Sequence, residues 1–163
     1  LKGAKMKAMD VAAHVINHCI NIGNPISNLK LQKILYLLNM TYLVNTKSML
    51  IDDKLFEAWQ YGPVIKEVYD KYSSYAASPI DAEQSFSEEL PMENRDNILA
   101  KISTLSQTRA WDLVDISHKK GGPWDIVYKN GVGNHQAIKN SLLEDYANNI
   151  RKELINVRHC DSF

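Results

Sequence analysis

His14 and His18 stand four residues apart in a stretch of helical period, so both imidazoles face one way, and Cys19 lies beside them. That is half of a zinc-binding set. A zinc site takes three or four ligands, and Val15 follows His14 where the hydrolytic His-Glu motif carries its general base, so no metal site is expected. The plainer reading is a surface histidine beside a packed Cys19. Nucleophilic catalysis would need Cys19, Cys160 or a serine oriented by a base, and no serine sits in a strand-elbow motif. His159-Cys160 falls in a C-terminal tail read at residues 158–163. No catalytic residue and no cofactor is expected.

Two other chemistries have weaker footing. Gly121-Gly122 and Gly131-Val132-Gly133 lack the strand before them and the lysine or glycine spacing of a phosphate cradle, and read as turns. Residues 98–118 could be drawn as a helix-turn-helix, but Arg109 is the only base between Ser103 and His118, too few to hold a helix against phosphates. The aromatic residues Trp59, Tyr61, Tyr69, Tyr72 and Tyr75 crowd into one short unit. Such side chains fill cores, and they also anchor protein interfaces because they bury much area at little entropic cost. Both readings stay open, with this cluster and the acidic loop from Asp81 to Glu93 as candidate partner contacts; the loop could mimic nucleic acid toward a basic partner.

The elements that would hold these residues follow from periodicity. Met9, Ala12, Ala13, Ile16, Cys19 and Ile20 mark a helix capped by Asp10 and stopped at Gly23. Leu31, Ile34, Leu35, Leu38 and Tyr42, with Leu37 and Leu43 on another side, predict a helix apolar over much of its girth and packed from several directions. Met49-Leu50-Ile51 and Leu55 to Trp59 predict a hairpin around Asp52-Asp53. Pro63 is read as the first residue of a helix running to about Tyr75. Residues 78–94 hold two prolines, three serines and five acidic residues without a base, a disordered or variable surface loop on composition. Helices follow through Ile98, Ile102 and Leu105, through Trp111, Val114 and Ile116 after a cap at Thr108, and from Pro123 to Tyr128. Ser141 and Glu144 have capping-box spacing for a last helix through Leu142, Tyr146, Ile150 and Leu154.

The sum is a mainly α protein, a single compact domain of about six or seven helices with one small β-hairpin. It is read over residues 6–157, with Leu1 to Lys5 as an added leader ahead of Met6. The chain of 163 residues balances 19 Lys and Arg against 19 Asp and Glu, so the global attraction that general nucleic-acid binders use is absent. Two cysteines make no disulfide framework, and no apolar run reaches the roughly 20 residues that span a bilayer, so a reducing cytoplasm and no membrane are expected.

Three motifs in order add a resemblance. Leu31-Gln32-Lys33-Ile34-Leu35-Tyr36, then Trp59-Gln60-Tyr61-Gly62-Pro63-Val64, then His118 with Pro123-Trp124 resemble the Panacea antitoxin domain, also described as phage-associated GepA-like or SocA-like proteins. The similarity runs from about Met9 to Tyr146 and is loose from Ile138 onward. Ser117 stands where a threonine is expected. The resemblance implies an antitoxin of a toxin-antitoxin or phage-associated system that neutralises a cognate toxin by protein contact, with no chemistry of its own. A phage or prophage DNA-binding regulator, or a hydrolase or metal-dependent enzyme, are the other classes, and a homo-oligomer stays open. The motif residues Leu31, Gln32, Lys33, Tyr36, Gly62, Pro63, Val64, His118, Pro123 and Trp124 are read as scaffold, Gln32 and Lys33 orienting and solvating the central helix.

Overall fold

Residues 28–46 carry apolar side chains all round, which suits a helix that meets protein on every side. The computed structural model describes residues 5–160 and builds the fold around that helix. In chain order its elements are α1 (Ala8–Asn21), α2 (Asn28–Thr46), β1 (Phe56–Trp59), β2 (Gly62–Val64), α3 (Lys66–Lys71), α4 (Arg95–Gln107), α5 (Ala110–Ser117), α6 (Pro123–Tyr128), β3 (Gln136–Ile138) and α7 (Asn140–Cys160). Single 3-10 turns lie at Ser73–Tyr75, Met92–Asn94 and Lys129–Gly131. Helices α1, α4, α5 and α7 and strand β2 all pack on α2. The leader read at residues 1–5 lies outside the described residues apart from Lys5; the tail read at 158–163 is helix as far as Cys160 and undescribed beyond it.

Helix α2 begins at Ser27, whose Oγ accepts from Lys30 N at 3.3 Å, and ends at Lys47 with φ +62. Arg151 of α7 donates to the carbonyls of Leu43 and Val44, at 2.9 and 3.1 Å, in the last turn, where the Leu43 carbonyl also accepts from Lys47 N. Four polar side chains of α2 are also buried: Asn28, Gln32, Lys33 and Asn39. Buried polar groups must find partners. Asn39 Oδ1 accepts from both Leu50 N and Ile51 N at 3.0 Å, pinning an irregular segment that no strand completes.

That segment corrects the hairpin reading. Ile51 forms only an isolated bridge to Met6, and the hairpin is β1 with β2, joined through Gln60-Tyr61. A third strand, β3, pairs on the other edge of β1, giving an antiparallel sheet in the order β2-β1-β3. Pro63 lies in edge strand β2 rather than at a helix start, a place where a missing N–H breaks no central ladder. Helix α3 starts only at Lys66.

Other expectations shift for local reasons. Asp10 sits inside α1 and does not cap it: its carboxylate accepts from Ser87 N at 2.9 Å and Ser87 Oγ at 2.7 Å. His14 Nε2 donates to the Glu88 carbonyl at 2.8 Å, and Asn17 makes a paired contact with the Gln84 backbone at 2.7 and 2.8 Å. Residues 10, 14 and 17 share one face of α1, and together they strap down the acidic segment that composition marked as disordered. Ile80 and Leu90 bury its two ends. Thr108 ends α4, and Arg109 precedes α5; Ser141 lies inside α7. In α5 the core side is Leu113, Val114 and Ser117, leaving Trp111 and Ile116 exposed, the reverse of the expected stripe for those two.

Replacing Asn39 with alanine strands the Leu50 and Ile51 amides in the core. The expected loss is about 2–4 kcal/mol in urea denaturation; a change within about 0.5 kcal/mol would mean that these amides have other partners.

Candidate functional site

Lys33 sits one turn into α2 and is 0% exposed, which is rare for lysine and needs an explanation. Its Nζ donates to the Pro63 carbonyl at 2.8 Å, and no carboxylate pairs with it among the described residues. Burial without a counter-charge pushes its pKa down to about 7. The preceding Gln32 accepts from Ile65 N at 3.0 Å and donates to Asn28 Oδ1 at 3.0 Å, while Asn28 donates to the Tyr69 carbonyl at 3.0 Å. One helix face thus grips Pro63, Ile65 and Tyr69 in turn. Gln32 and Lys33 do not solvate α2, as the sequence suggested; both are buried and bond to its neighbours.

The grip requires a glycine at 62. Its φ is +110, and a Cβ there would stand 2.7 Å from Ser117 Oγ and 2.8 Å from Lys33 Cε. Ser117 and His118 close the same corner from the end of α5. The His118 ring stacks on Trp124 at 3.6 Å and 6°, and Trp124 stacks in turn on Tyr128 at 4.5 Å. Burial first, and then the nearby Lys33, hold His118 below its ordinary pKa. Its Nε2 is buried with no partner among the described residues. Trp124 Nε1 donates to the Trp59 carbonyl at 2.7 Å, which ties α6 to the end of β1. Pro123 opens α6 as expected. Leu31, Tyr36, Pro63 and Val64 are buried.

Above this corner opens a cavity of about 480 Å³. Gln32, Lys33 and Asn28 line it from α2, and Trp59, Tyr61 and Tyr69 line it from the hairpin and α3. Trp59 stacks on His135 at 4.4 Å and meets Tyr69 edge-on at 5.0 Å. Tyr61, 49% exposed, lines the cavity and meets Trp111, 59% exposed and outside the lining, edge-on at 5.5 Å. The aromatic cluster is therefore divided. Tyr72 is 2% exposed and belongs to the core, with its hydroxyl donating to Gln84, so as a free contact residue it is corrected. Tyr75 is partly buried against that core. Trp111 and His135 were missed: Trp111 had been given to the core stripe, and His135 arrives from a left-handed turn with no sequence signal.

The remaining candidates separate. His14, buried against the strap rather than at the surface, and His18, bonded to Ser103 Oγ at 2.7 Å, face different partners. No group of three metal-ligating side chains occurs among the described residues. Cys19 is buried, and its thiol is pushed up to about 11, the opposite of nucleophile activation. Arg109, the only base between Ser103 and His118 in the helix-turn-helix reading, is held by Asp112 at 2.7 Å. Gly133 marks a turn, since a Cβ there would stand 1.7 Å from the Val127 carbonyl oxygen. Among the described residues no helix is long and apolar enough to cross a membrane.

Residues 31–125, from the first turn of α2 to the residue after Trp124, match the family model described as Antitoxin SocA-like, Panacea domain. The chain belongs to the SocA-like Panacea antitoxin family. It is 31% identical over 143 residues to Antitoxin SocA of Caulobacter vibrioides (strain NA1000 / CB15N), covering 80% of this chain and 74% of that relative. No solved structure matches. The family match thus spans Lys33, the hairpin, α5 and the His118-Trp124 stack.

The Lys33 burial has a pH signature. The folded value is near 7 against 10.5 for an ordinary lysine, so between those pH values the unfolded chain holds the extra proton and stability rises with pH. Below the window both forms are protonated and the penalty is complete. His118 is shifted down from 6.5 and titrates below this window. From pH 7 to 9 the native chain should gain roughly 2 kcal/mol relative to Lys33→Met, compared by urea denaturation at each pH. Parallel stability curves would show an amine that keeps its proton as an exposed lysine does.

Proposed function

We propose that this family member neutralises a partner toxin by direct protein contact, using the face around the aromatic cavity. The observation that carries the reading is the pair Tyr61 and Trp111, two large aromatic rings standing exposed and edge-on to each other, Tyr61 in the cavity wall and Trp111 against its outer side. Interface energy concentrates in tryptophan and tyrosine beside a pocket, because these rings lose little entropy on burial and keep a polar end for a hydrogen bond. The scaffold beneath them is stiff. Gln32 and Lys33 hold the hairpin from below, and Trp124 holds it from the side. A rigid rim presents its anchors without paying to order them on contact. The toxin would be blocked by occlusion, and the antitoxin supplies shape and apolar area.

The cytoplasm is the compartment in which such a pair would meet, and the buried free thiol of Cys19 accords with a reducing one. The test is co-expression with the adjacent gene, scoring growth rescue and co-purification. The intact chain should rescue and co-purify, while Tyr61→Ala with Trp111→Ala should lower affinity by about a hundredfold or more and abolish rescue. Both side chains are exposed, so thermal unfolding of the double variant should stay within about 2 °C of the native chain. Full rescue by that variant would remove this face from the interface.

A further inference from the structure

The rings around the cavity carry a sign. Trp59, Tyr61 and Tyr69 contribute to its walls, and an aromatic ring presents a negative face that attracts cations and repels anions. A planar, nitrogen-bearing group already lies on this indole, since the His135 ring stacks on Trp59 at 4.4 Å and 19°. The charges beside the mouth do not balance. Around β1 and α3, Lys54 is bonded to Glu67 at 2.7 Å and Lys66 to Asp70 at 2.6 Å, which leaves Glu57 without an ion pair among the described residues. Lys66 feels the charge of Glu57 but spends its hydrogen bond on Asp70. The Glu57 carboxylate stands just outside the lining, half-buried and turned to the indole, where its Oε2 accepts from Trp59 Nε1 at 3.3 Å. Lys33 offers no rival cation, because it is enclosed beneath the floor and turned to the Pro63 carbonyl.

We propose that the cavity receives an arginine side chain of the toxin: the guanidinium lies against the rings of Trp59, Tyr61 and Tyr69 and turns an N–H edge to the Glu57 carboxylate. The inference rests on the antitoxin reading for its occupant and deepens it by naming the group that the aromatic face recognises. Three observations select that group. The negative ring faces favour a cation over an anion or a neutral amide. The unmatched carboxylate beside Trp59 supplies the counter-charge, and a guanidinium meets a carboxylate with a fork of donors. A space of about 480 Å³ flanked by flat rings suits a flat, weakly hydrated guanidinium on a long stem better than the compact, strongly hydrated ammonium of lysine. The amides of Gln60 and Asn134, also in the lining, add oxygens that accept from the remaining N–H groups.

The first arm uses the free protein and three matched probes, N-acetyl-arginine methylamide, its neutral isostere N-acetyl-citrulline methylamide, and N-acetyl-lysine methylamide, followed by the indole Nε1–H signal of Trp59 in NMR. The arginine probe should bind saturably, about fivefold or more tightly than either of the others. Equal binding of arginine and citrulline, or binding of neither, overturns the cation site; equal binding of arginine and lysine overturns the planar guanidinium as the group recognised. Glu57→Gln keeps an acceptor for Trp59 Nε1–H, so it should unfold at the native temperature while losing about fivefold in affinity for the arginine probe and none for citrulline. An unchanged preference in that variant overturns the role of Glu57. The second arm adds the toxin. Formation of the complex should expel the arginine probe, and Glu57→Gln should weaken the complex about tenfold, with one toxin arginine coupled to Glu57 in a double-mutant cycle. A complex that still takes up the probe leaves the antitoxin reading standing and overturns the toxin arginine as occupant, assigning the site to a small free cation. Absence of any complex removes the antitoxin reading, and with it the toxin as occupant, whatever the probes do.

Discussion

A lysine with no counter-charge, enclosed by protein, holds this architecture at one point. Lys33 reaches the Pro63 carbonyl from the second turn of α2, and Gly62 must lack a side chain because Lys33 Cε and Ser117 Oγ already occupy the space a Cβ would take. The hairpin, α5 and α2 therefore meet at a contact with no room for adjustment. Desolvating a cation is expensive unless the proton is given up, and burial accordingly pushes the Lys33 amine down to about 7, where it parts with its proton far more readily than an exposed lysine.

The same logic extends along the helix. Asn28, Gln32 and Asn39 are also buried in α2, and each satisfies backbone groups of a neighbouring segment: Asn28 a carbonyl of short helix α3, Gln32 the amide just before it, and Asn39 two amides of the irregular stretch at Leu50 and Ile51. Helix α1 repeats the device on its outer face, where Asp10, His14 and Asn17 hold the acidic segment. A small protein with short strands can thus carry long irregular stretches, because polar side chains on two helices take the place of regular partners. The cavity is a product of this arrangement. The grip on Pro63, Ile65 and Tyr69 fixes the hairpin and α3 at a distance from α2, and aromatic rings wall the space left over.

The helices were legible wherever local period governed them. Leu31 to Tyr42 announced a helix contacted from several sides, and Pro123 announced the start of α6. Non-local pairing was not legible. Strand β3 joins β1 from nearly eighty residues away, and only its arrival makes Phe56 to Trp59 a central strand. Met49 to Ile51 has strand composition, but its amides are taken by Asn39 before any strand can pair with them. Pro63 offered two lawful positions, a helix start or a sheet edge, and the tertiary bond to Lys33 selected the edge. Of the candidate site, the sequence named the motif residues and the aromatic cluster, and it missed that Lys33 is buried, because lysine burial depends on a carbonyl brought from another element. It likewise could not divide Tyr61 at the rim from Tyr72 in the core, since both are tyrosines in one short unit.

The central claim is that an uncompensated, buried Lys33 anchors the hairpin, and the direct test is its titration in the free protein. With lysine side chains isotopically labelled and the signal assigned through Lys33→Met or Lys33→Arg, the ε-methylene shift is followed from pH 5 to 11. The account predicts a midpoint near 7. A midpoint near the ordinary 10.5 would contradict it, showing an amine that is solvated or paired and a hairpin held by something else.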